Sequence, residues 1–340
     1  MDKNIFDENL RMYGGRYEIG YESFDYLLES LITDSQAFIK NLINENANLP
    51  EVYIDYINSE RANACAFKVD NKFYIGIMKG TVAKMKVIIQ QLLDEIMDVN
   101  FHTLKYNKRS LYEEAFLILA FRFIVLHEYG HIVNGHIDWK KNNSRDSFFF
   151  ENYTESNIDS NIDRQTREMN ADRFAAKSSI DNIFKNGGFR SKYFSNTNID
   201  KIAEALVCLY SAAYIMFLIF MPFTYDEKNF HMMSHPHPAI RQSYTITTTM
   251  NEYVFDEHDF EMDLSSYMNI VQGDYEKIAI KLMQLRNEFI NPLKVPYTKL
   301  GWEHMLRIHN NWEKVRKQLT GFNYTKLEEF ERMDYYFSSI

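Results

Sequence analysis

The sequence predicts a mostly helical α+β protein with one small sheet. Most of its 340 residues fall in stretches where apolar side chains recur every three or four positions, the spacing of a helix that buries one face. One region, residues 51–78, instead alternates apolar and polar residues and contains a turn. Because 46% of the residues are hydrophobic, a chain of this length can bury a substantial core.

The net charge and the number of cysteines limit the possible binding partners and the cellular compartment of the protein. The formal net charge is -9, so nucleic acids and anionic membrane surfaces would repel the protein, and we expect no nucleic-acid partner. The two cysteines, Cys65 and Cys208, are too few for a disulfide framework. The first residues lack the basic and apolar regions of a signal peptide. These observations favour a cytoplasmic protein.

The first hundred residues predict helices at both ends of a short run of strands. We expect a helix over residues 21–43 and a strand over residues 51–57. A two-stranded hairpin, 63–67 with 72–78, and a second helix over residues 81–99 should follow. The hairpin would turn at Asp70 and Asn71, since both residue types tolerate the backbone conformation of a tight turn.

A long apolar helix in the middle of the chain carries the first chemical motif. Residues 115–126 are apolar apart from Arg122, which predicts a helix buried in the core. The helix continues into the sequence HEYGH, where His127 and His131 are four residues apart and therefore point from one face toward a single ion. Glu128 then lies beside the open position of the metal.

A catalytic zinc needs a third protein ligand, and two candidates follow the motif. His136 lies one residue too early for the pattern HExxHxxGxxH, which favours a polar role at the helix end. Glu168 lies on a further predicted helix, residues 163–179, and Asp172 on the same face could accept a hydrogen bond from a ligating histidine. The small Ala171 would let the two helices approach closely. The predicted ligands of one Zn²⁺ per chain are His127, His131 and Glu168.

The segment between the two halves of this site is predicted to be a long loop. Residues 140–161 are rich in Asn, Ser and Asp and contain three consecutive phenylalanines, Phe148–Phe150. Long loops inside compact domains are often functional. Two interpretations stay open: a lid over the cleft, or a surface excursion whose phenylalanines pack into the core.

Four motifs together resemble the gluzincin metallopeptidases, and among them the CaaX-protease and heat-shock membrane protease (HtpX-like) family. HEYGH followed by EMNADRFAA is similar to that family's zinc site. Ser234-His235-Pro236 with Arg241 resembles its Thr-His-Pro segment, with serine in place of threonine. The family's strand before the zinc helix is matched, with a cysteine in place of the aromatic residue, by Asn63, Ala64, Cys65 and Ala66.

The resemblance covers about residues 50–245 and implies a zincin-like fold and a zinc-dependent endopeptidase. It implies that the strand at 63–66 is the edge of the cleft and pairs with the substrate backbone. It also implies that His235 and Arg241 stabilise the tetrahedral intermediate, while a capped turn is the alternative for His235. The chain is similar in size and motif layout to the prophage-encoded exclusion proteases of the Lit type, which cleave elongation factor Tu.

Residues 205–223 complicate this interpretation, because 19 residues without a charge nearly suffice to span a bilayer. Tyrosine, serine and cysteine recur within the run, which favours a buried core helix. A single crossing would also place Glu168 and Arg241 on opposite sides of the hydrocarbon. We therefore expect a core helix, with membrane association through this segment as the alternative.

The remaining sequence predicts further helices without a chemical motif. We expect a metallopeptidase domain over residues 1–250 and a helical extension over residues 251–340 that packs on it. Two functions follow. The first is a zinc endopeptidase that acts on a protein or peptide, with Glu128 as general base. The alternative is a zinc-containing interaction or regulatory protein, latent or inactive as a protease, that acts through its C-terminal helices. A purely structural zinc would not need Glu128, which favours the enzyme.

Overall fold

The structure is a computed structural model of the chain and confirms the mostly helical α+β class. The residues it describes are 2–97, 99, 101–104, 108–143, 148–150, 158–185, 187–194, 198–221, 227–254, 264–285 and 292–330. Helices account for most of this part of the chain, and four strands form one mixed sheet.

The sheet contains the predicted hairpin and two further strands. Its strands are β1 (Val52–Ile57), β2 (Ala64–Val69), β3 (Lys72–Met78) and β4 (Phe148–Phe150), in the spatial order β1-β3-β2-β4. β2 and β3 pair antiparallel, and β1 runs parallel to β3. Asp70 and Asn71 make the turn with φ of 46° and 68°, the left-handed conformation that two-residue hairpins require.

The fourth strand corrects the prediction of one long loop. Phe148–Phe150 pairs antiparallel with residues 65–67 of β2 and satisfies backbone groups that an edge strand would leave open. Aromatic residues favour strands, but the polar sequence around them hides that signal. Other parts of the predicted loop are helical, in α5 (His136–Asn143) and in the first turn of α6 (Ile158–Lys185). Residues 144–147 and 151–157 lie outside the described residues.

The central helix is α4 (Arg109–Val133), which contacts the sheet on one side and several helices on the others. Every residue from 119 to 133 is buried, as predicted for a core helix. α4 packs on β2 and β3 and is surrounded by α6 and by the helices α2 (Ser23–Glu45), α3 (Lys79–Ile96) and α8 (Asn198–Ile219). The side chains that it presents are therefore held by neighbours on all sides.

Arg122, the charged residue in the apolar part of α4, joins three helices. Its Nε and Nη2 atoms donate to the carboxylate of Asp34 on α2 at 2.5 and 2.6 Å, and Nη1 donates to Asn182 on α6 at 3.0 Å. A guanidinium at this depth needs such partners, because an unpaired buried charge is strongly destabilising.

The apolar segment at 205–223 falls mainly on α8, which is a core helix as expected. Arg109–Val133 and Ile202–Ile219 are long and apolar enough to cross a membrane, but 100% and 89% of their apolar windows are buried inside the protein. α8 packs against α4, α9 (Pro238–Val254) and α10 (Leu264–Leu285). Packing within the protein is thus sufficient to account for its composition. Residues 222–223 lie outside the described residues.

The C-terminal helices pack on the rest of the protein. α10 contacts α3 and α8 and contributes to the main hydrophobic core, while α11 (Lys299–Leu319) contacts α6. The spacing of charged and apolar residues predicts a last helix over residues 326–337. Residues 326–330 are not helical, and residues 331–337 lie outside the described residues. The other described helical segments are α1 (Asp2–Leu10), α7 (Gly187–Tyr193) and three 3-10 turns at Arg11–Tyr13, Glu227–Met232 and Pro292–Tyr297.

Candidate metal centre

The three predicted metal ligands converge on one buried point. The Nε2 atoms of His127 and His131 are 3.0 Å apart, and Oε2 of Glu168 lies 3.2 and 3.5 Å from them. All three ligand atoms lie within 4.8 Å of one another, and none of the residues is more than 2% exposed. Among the residues that the structure describes, Oε2 of Glu168 has no partner of hydrogen-bond geometry, so a cation held here would satisfy it. This His-His-Glu group can hold a metal ion.

The charge of Glu168 is maintained by its neighbours. Burial alone would raise the pKa of its carboxyl, but the neighbouring imidazoles of His235, His131 and His127 hold that pKa well below its usual range. The carboxylate is therefore anionic at neutral pH, which is the state that binds a cation.

A close helix crossing brings the two halves of the site together. α4 supplies both histidines and α6 supplies Glu168. A Cβ atom on Gly130 would lie 3.1 Å from Cα and the carbonyl oxygen of Ala171 and 3.3 Å from Cβ of Phe174. The small Ala171 therefore permits the close approach that we predicted, and Gly130 is its counterpart on α4, which the sequence motif alone did not identify.

Asp172 orients His127, as predicted. Its Oδ1 atom lies 2.9 Å from Nδ1 of His127, the ring nitrogen that does not face the ligand cluster. This hydrogen bond holds the proton on Nδ1 and leaves Nε2 available to a metal.

Arg241 is at the site, but its position corrects its predicted role. Its Nε and Nη2 atoms donate to the two carboxylate oxygens of Asp172, both at 2.8 Å, and its guanidinium lies over the ring of Phe217. Arg241 thus lies behind His127, on the Nδ1 side, where it cannot meet charge that develops beside the ligand cluster. Its role is to neutralise and hold Asp172. A buried aspartate beside a candidate metal ligand needs such a counter-charge. The sequence could therefore have indicated an arginine as the partner of Asp172.

His136 contacts His131 instead of joining the ligand cluster. The two Nδ1 atoms are 2.8 Å apart, and Nε2 of His136 lies 3.2 Å from Oδ1 of Asn170. Gly135, at φ 81°, turns the chain after α4 and directs this histidine back toward the site. Burial, with His131 and Arg167, holds the pKa of His136 well below its usual range, so the ring is neutral. We expected a polar residue at a helix end, and the role beside His131 was not predicted.

His235 lies next to the ligand cluster, as predicted. Its Nε2 atom is 3.4 Å from Oε2 of Glu168, and its Nδ1 atom is 2.9 Å from the hydroxyl of Ser234. With 12% of its side chain exposed, it is more accessible than the three candidate ligands. His235 therefore marks the side on which the cluster approaches solvent.

His237 and Tyr129, two further polar residues of this region, form hydrogen bonds with structural roles. Nδ1 of His237 accepts the backbone N–H of Ala239 at the start of α9. Burial, and then the neighbouring His304, lowers the pKa of His237 to about 3. The Tyr129 hydroxyl donates to the carbonyl of Pro50 at 2.8 Å. Neither side chain contacts the ligand cluster through these bonds.

The strand that we predicted as the cleft edge is near the site but is not an edge throughout. Burial raises the pKa of the Cys65 thiol on β2, and the charge of Glu128, which is 1% exposed, raises it further. However, β4 pairs with Cys65 and Ala66, so at these residues a strand of the same chain already occupies the outer edge of β2. Asn63 and Ala64 precede that pairing, and Thr81 fixes the Asn63 backbone with two hydrogen bonds of 2.9 Å.

Comparisons with protein-family models, with curated proteins and with solved structures found no match to this chain. Any functional inference therefore depends on the residues of the site and their geometry.

Proposed function

We propose that the protein is a zinc-dependent endopeptidase of the gluzincin type. The observation that supports this most is the buried group of His127, His131 and Glu168, with Glu128 next to the first ligand in the chain. Among the described residues this group offers three protein ligands. Three ligands leave one coordination position for water or substrate, whereas structural zinc sites are closed by four.

The ligand set favours zinc among the common metals. Two imidazoles and one carboxylate suit Zn²⁺, while magnesium and calcium prefer oxygen ligands throughout. A zinc ion at this position would polarise a peptide carbonyl and acidify a water molecule.

The chain's own residues then supply the remaining chemistry. Glu128 accepts the proton of the attacking water and returns it to the leaving amine, the usual cycle of a general base. His235 donates from Nε2 to the developing negative charge, and loss of one such donor typically costs about 3 kcal/mol of transition-state stabilisation. Asp172 and Arg241 keep His127 in the tautomer that binds metal.

Zinc content and cleavage of an unbiased peptide library, measured for the wild type and for Glu128→Gln, test this proposal. We expect both proteins to contain zinc and only the wild type to cleave. Glu113→Gln is a matched control, because Glu113 lies on the same helix and bonds to Gln90 instead of the site. Equal cleavage by wild type and Glu128→Gln would overturn the role of Glu128.

The alternative is a zinc-containing interaction or regulatory protein, latent or inactive as a protease. Two observations favour it: Glu128 is almost fully buried, and β4 covers part of the strand that a substrate would pair with. A wild-type protein that contains zinc and cleaves no peptide of the library would support this alternative. Its partner would then bind the C-terminal helices.

We place the protein in the cytoplasm, with a protein or peptide as substrate and no nucleic-acid partner. The acidic charge and the burial of both apolar helices support this placement. Membrane association through residues 205–223 is the alternative location.

A further inference from the structure

A chain of three buried side chains runs from the candidate ligand His131 into the protein. Nδ1 of His131 lies 2.8 Å from Nδ1 of His136, and Nε2 of His136 lies 3.2 Å from Oδ1 of Asn170. His131 and Asn170 are buried, and His136 is completely so. The three residues come from α4, α5 and α6, so this chain joins the helices on both sides of the site.

Metal coordination determines the direction of both hydrogen bonds. A neutral imidazole carries one proton, and a ring nitrogen that binds a cation carries none. If Nε2 of His131 is the ligand, its proton is on Nδ1, which donates to Nδ1 of His136. The proton of His136 is then on Nε2, which donates to the amide oxygen of Asn170. Each donor meets an acceptor, and the arrangement needs no buried charge.

We propose that His136 is a positioning residue of the metal centre, which holds His131 in the orientation and tautomer that bind zinc and is itself held by Asn170. This inference rests on the proposed zinc site. Both ring nitrogens of His136 are directed to these neighbours, which is why the histidine nearest to the HEYGH motif is not a ligand.

The two histidine ligands are consequently inequivalent. His127 donates to the carboxylate of Asp172, which increases the basicity of its ligating nitrogen. His131 donates to a neutral imidazole, which polarises it less. The orientation of His131 therefore depends more on where its acceptor lies than on the charge of that acceptor. A substitution of His136 that preserves positioning must keep an acceptor atom at the position of Nδ1.

Two substitutions of His136 separate positioning from bulk. In His136→Asn the amide oxygen is bonded to Cγ, as Nδ1 is in histidine, so the acceptor for His131 is kept. In His136→Phe a ring remains and the acceptor is lost. We expect His136→Phe to weaken zinc binding about 10- to 100-fold and His136→Asn to stay within about threefold of the wild type.

Chelator competition measures the zinc affinity, and the visible spectrum of the Co²⁺-substituted protein reports ligand geometry. The Co²⁺ spectrum should change in His136→Phe and resemble the wild type in His136→Asn. Unchanged zinc affinity and spectrum in His136→Phe would overturn the inference, as would equal losses in both variants.

Asn170→Ala provides an independent test, because it leaves the ring of His136 in place and removes only its anchor. We expect a smaller loss of zinc affinity than in His136→Phe, and no loss would contradict the anchoring role. If His136→Phe fails to fold, Asn170→Ala and His136→Asn still decide the outcome. If the zinc affinities of the variants follow the predicted order but no protein cleaves peptide, the endopeptidase proposal alone is overturned. If the wild type cleaves peptide but substitutions of His136 leave zinc affinity unchanged, the positioning role alone is overturned.

Discussion

At the scale of single residues, Asp172 links the candidate site to the protein core. It is fully buried, accepts from His127 and forms two hydrogen bonds with the equally buried Arg241. A carboxylate that serves two partners of this kind couples the candidate ligand His127 to the stability of the core, because its loss leaves the guanidinium without an anion.

Asp172→Asn tests that coupling. We expect zinc affinity to fall about 10- to 100-fold, since the ligand loses its carboxylate partner. We also expect the free energy of unfolding to fall by about 3–5 kcal/mol, because a buried arginine is left unpaired. Chelator competition and denaturant unfolding measure the two effects. Asp181→Asn is the control, since Asp181 lies on the same helix and its side chain is 42% exposed. Wild-type zinc affinity in Asp172→Asn would contradict the orienting role.

At the scale of secondary-structure elements, the crossing of α4 and α6 sets the geometry of the site. Gly130 and Ala171 meet there, and Glu168 lies one helical turn from the contact. Metal–ligand distances in proteins stay within about 0.2 Å of their typical values. The separation of these two helices therefore determines whether three ligands can reach one ion.

Gly130→Ala should weaken zinc binding, because its Cβ would force α6 away by a few tenths of an ångström. Gly273→Ala on α10 is the matched control, since a Cβ there meets nothing within 4 Å. Replacing a helical glycine by alanine commonly stabilises by about 0.5–1 kcal/mol. We expect Gly273→Ala to show that gain with unchanged zinc affinity and Gly130→Ala to fall short of it. Equal behaviour of the two variants would show that the crossing is not tight.

Spacing along a helix explains which parts of the site could be predicted from the sequence. His127 with His131, and Glu168 with Asp172, are four residues apart, and helix geometry alone places each pair on one face. The hairpin turn at Asp70 and Asn71 follows equally from local backbone preference.

Contacts that depend on distant parts of the chain could not be predicted in this way. β4 pairs with a strand some 80 residues earlier, and a run of phenylalanines does not specify its partner. The position of His136 depends on the turn at Gly135, and that of Arg241 on the way α9 packs against α6. For these residues the sequence indicated nearness to the site but not the atom that each one contacts.

At the scale of the whole molecule, buried neutral histidines link stability to pH. His304 on α11 lies 2.7 Å from Oε1 of Gln165 through its Nε2 atom and stacks on Phe230. Burial, with Arg307 and His231, lowers its pKa to about 3, and burial lowers that of His237 to a similar value. Both residues therefore remain neutral in the folded protein at pH values where the unfolded chain takes up protons.

The free energy of unfolding should consequently fall as the pH falls below about 6.5, the ordinary pKa of histidine. The unfolded state then binds more protons than the folded state, and each histidine contributes a loss of about 1.4 kcal/mol per pH unit until the folded pKa is reached. Denaturant unfolding at pH 7 and pH 5, with a chelator present, measures this loss. His304→Gln keeps a donor for Gln165 without a titrating group and should reduce the dependence. An unchanged dependence in this variant would contradict the assignment.

The burial of α4 and α8 predicts how the 340-residue chain behaves in solution. We expect it to remain in detergent-free buffer after high-speed centrifugation, because 100% and 89% of the two apolar windows already lie inside the protein. Sedimentation with and without detergent is the measurement. Obligate extraction with detergent would show that residues 205–223 contact lipid and would overturn the proposed cytoplasmic location.

The depth of the ligand cluster has a kinetic consequence. His127, His131 and Glu168 are each at most 2% exposed and belong to two tightly crossed helices. A chelator in solution cannot reach an ion there until α4 and α6 separate or the side occupied by His235 opens. Exchange of an ion bound there would therefore be limited by a fluctuation of the protein, and we expect its rate to become independent of chelator concentration once the chelator is in excess.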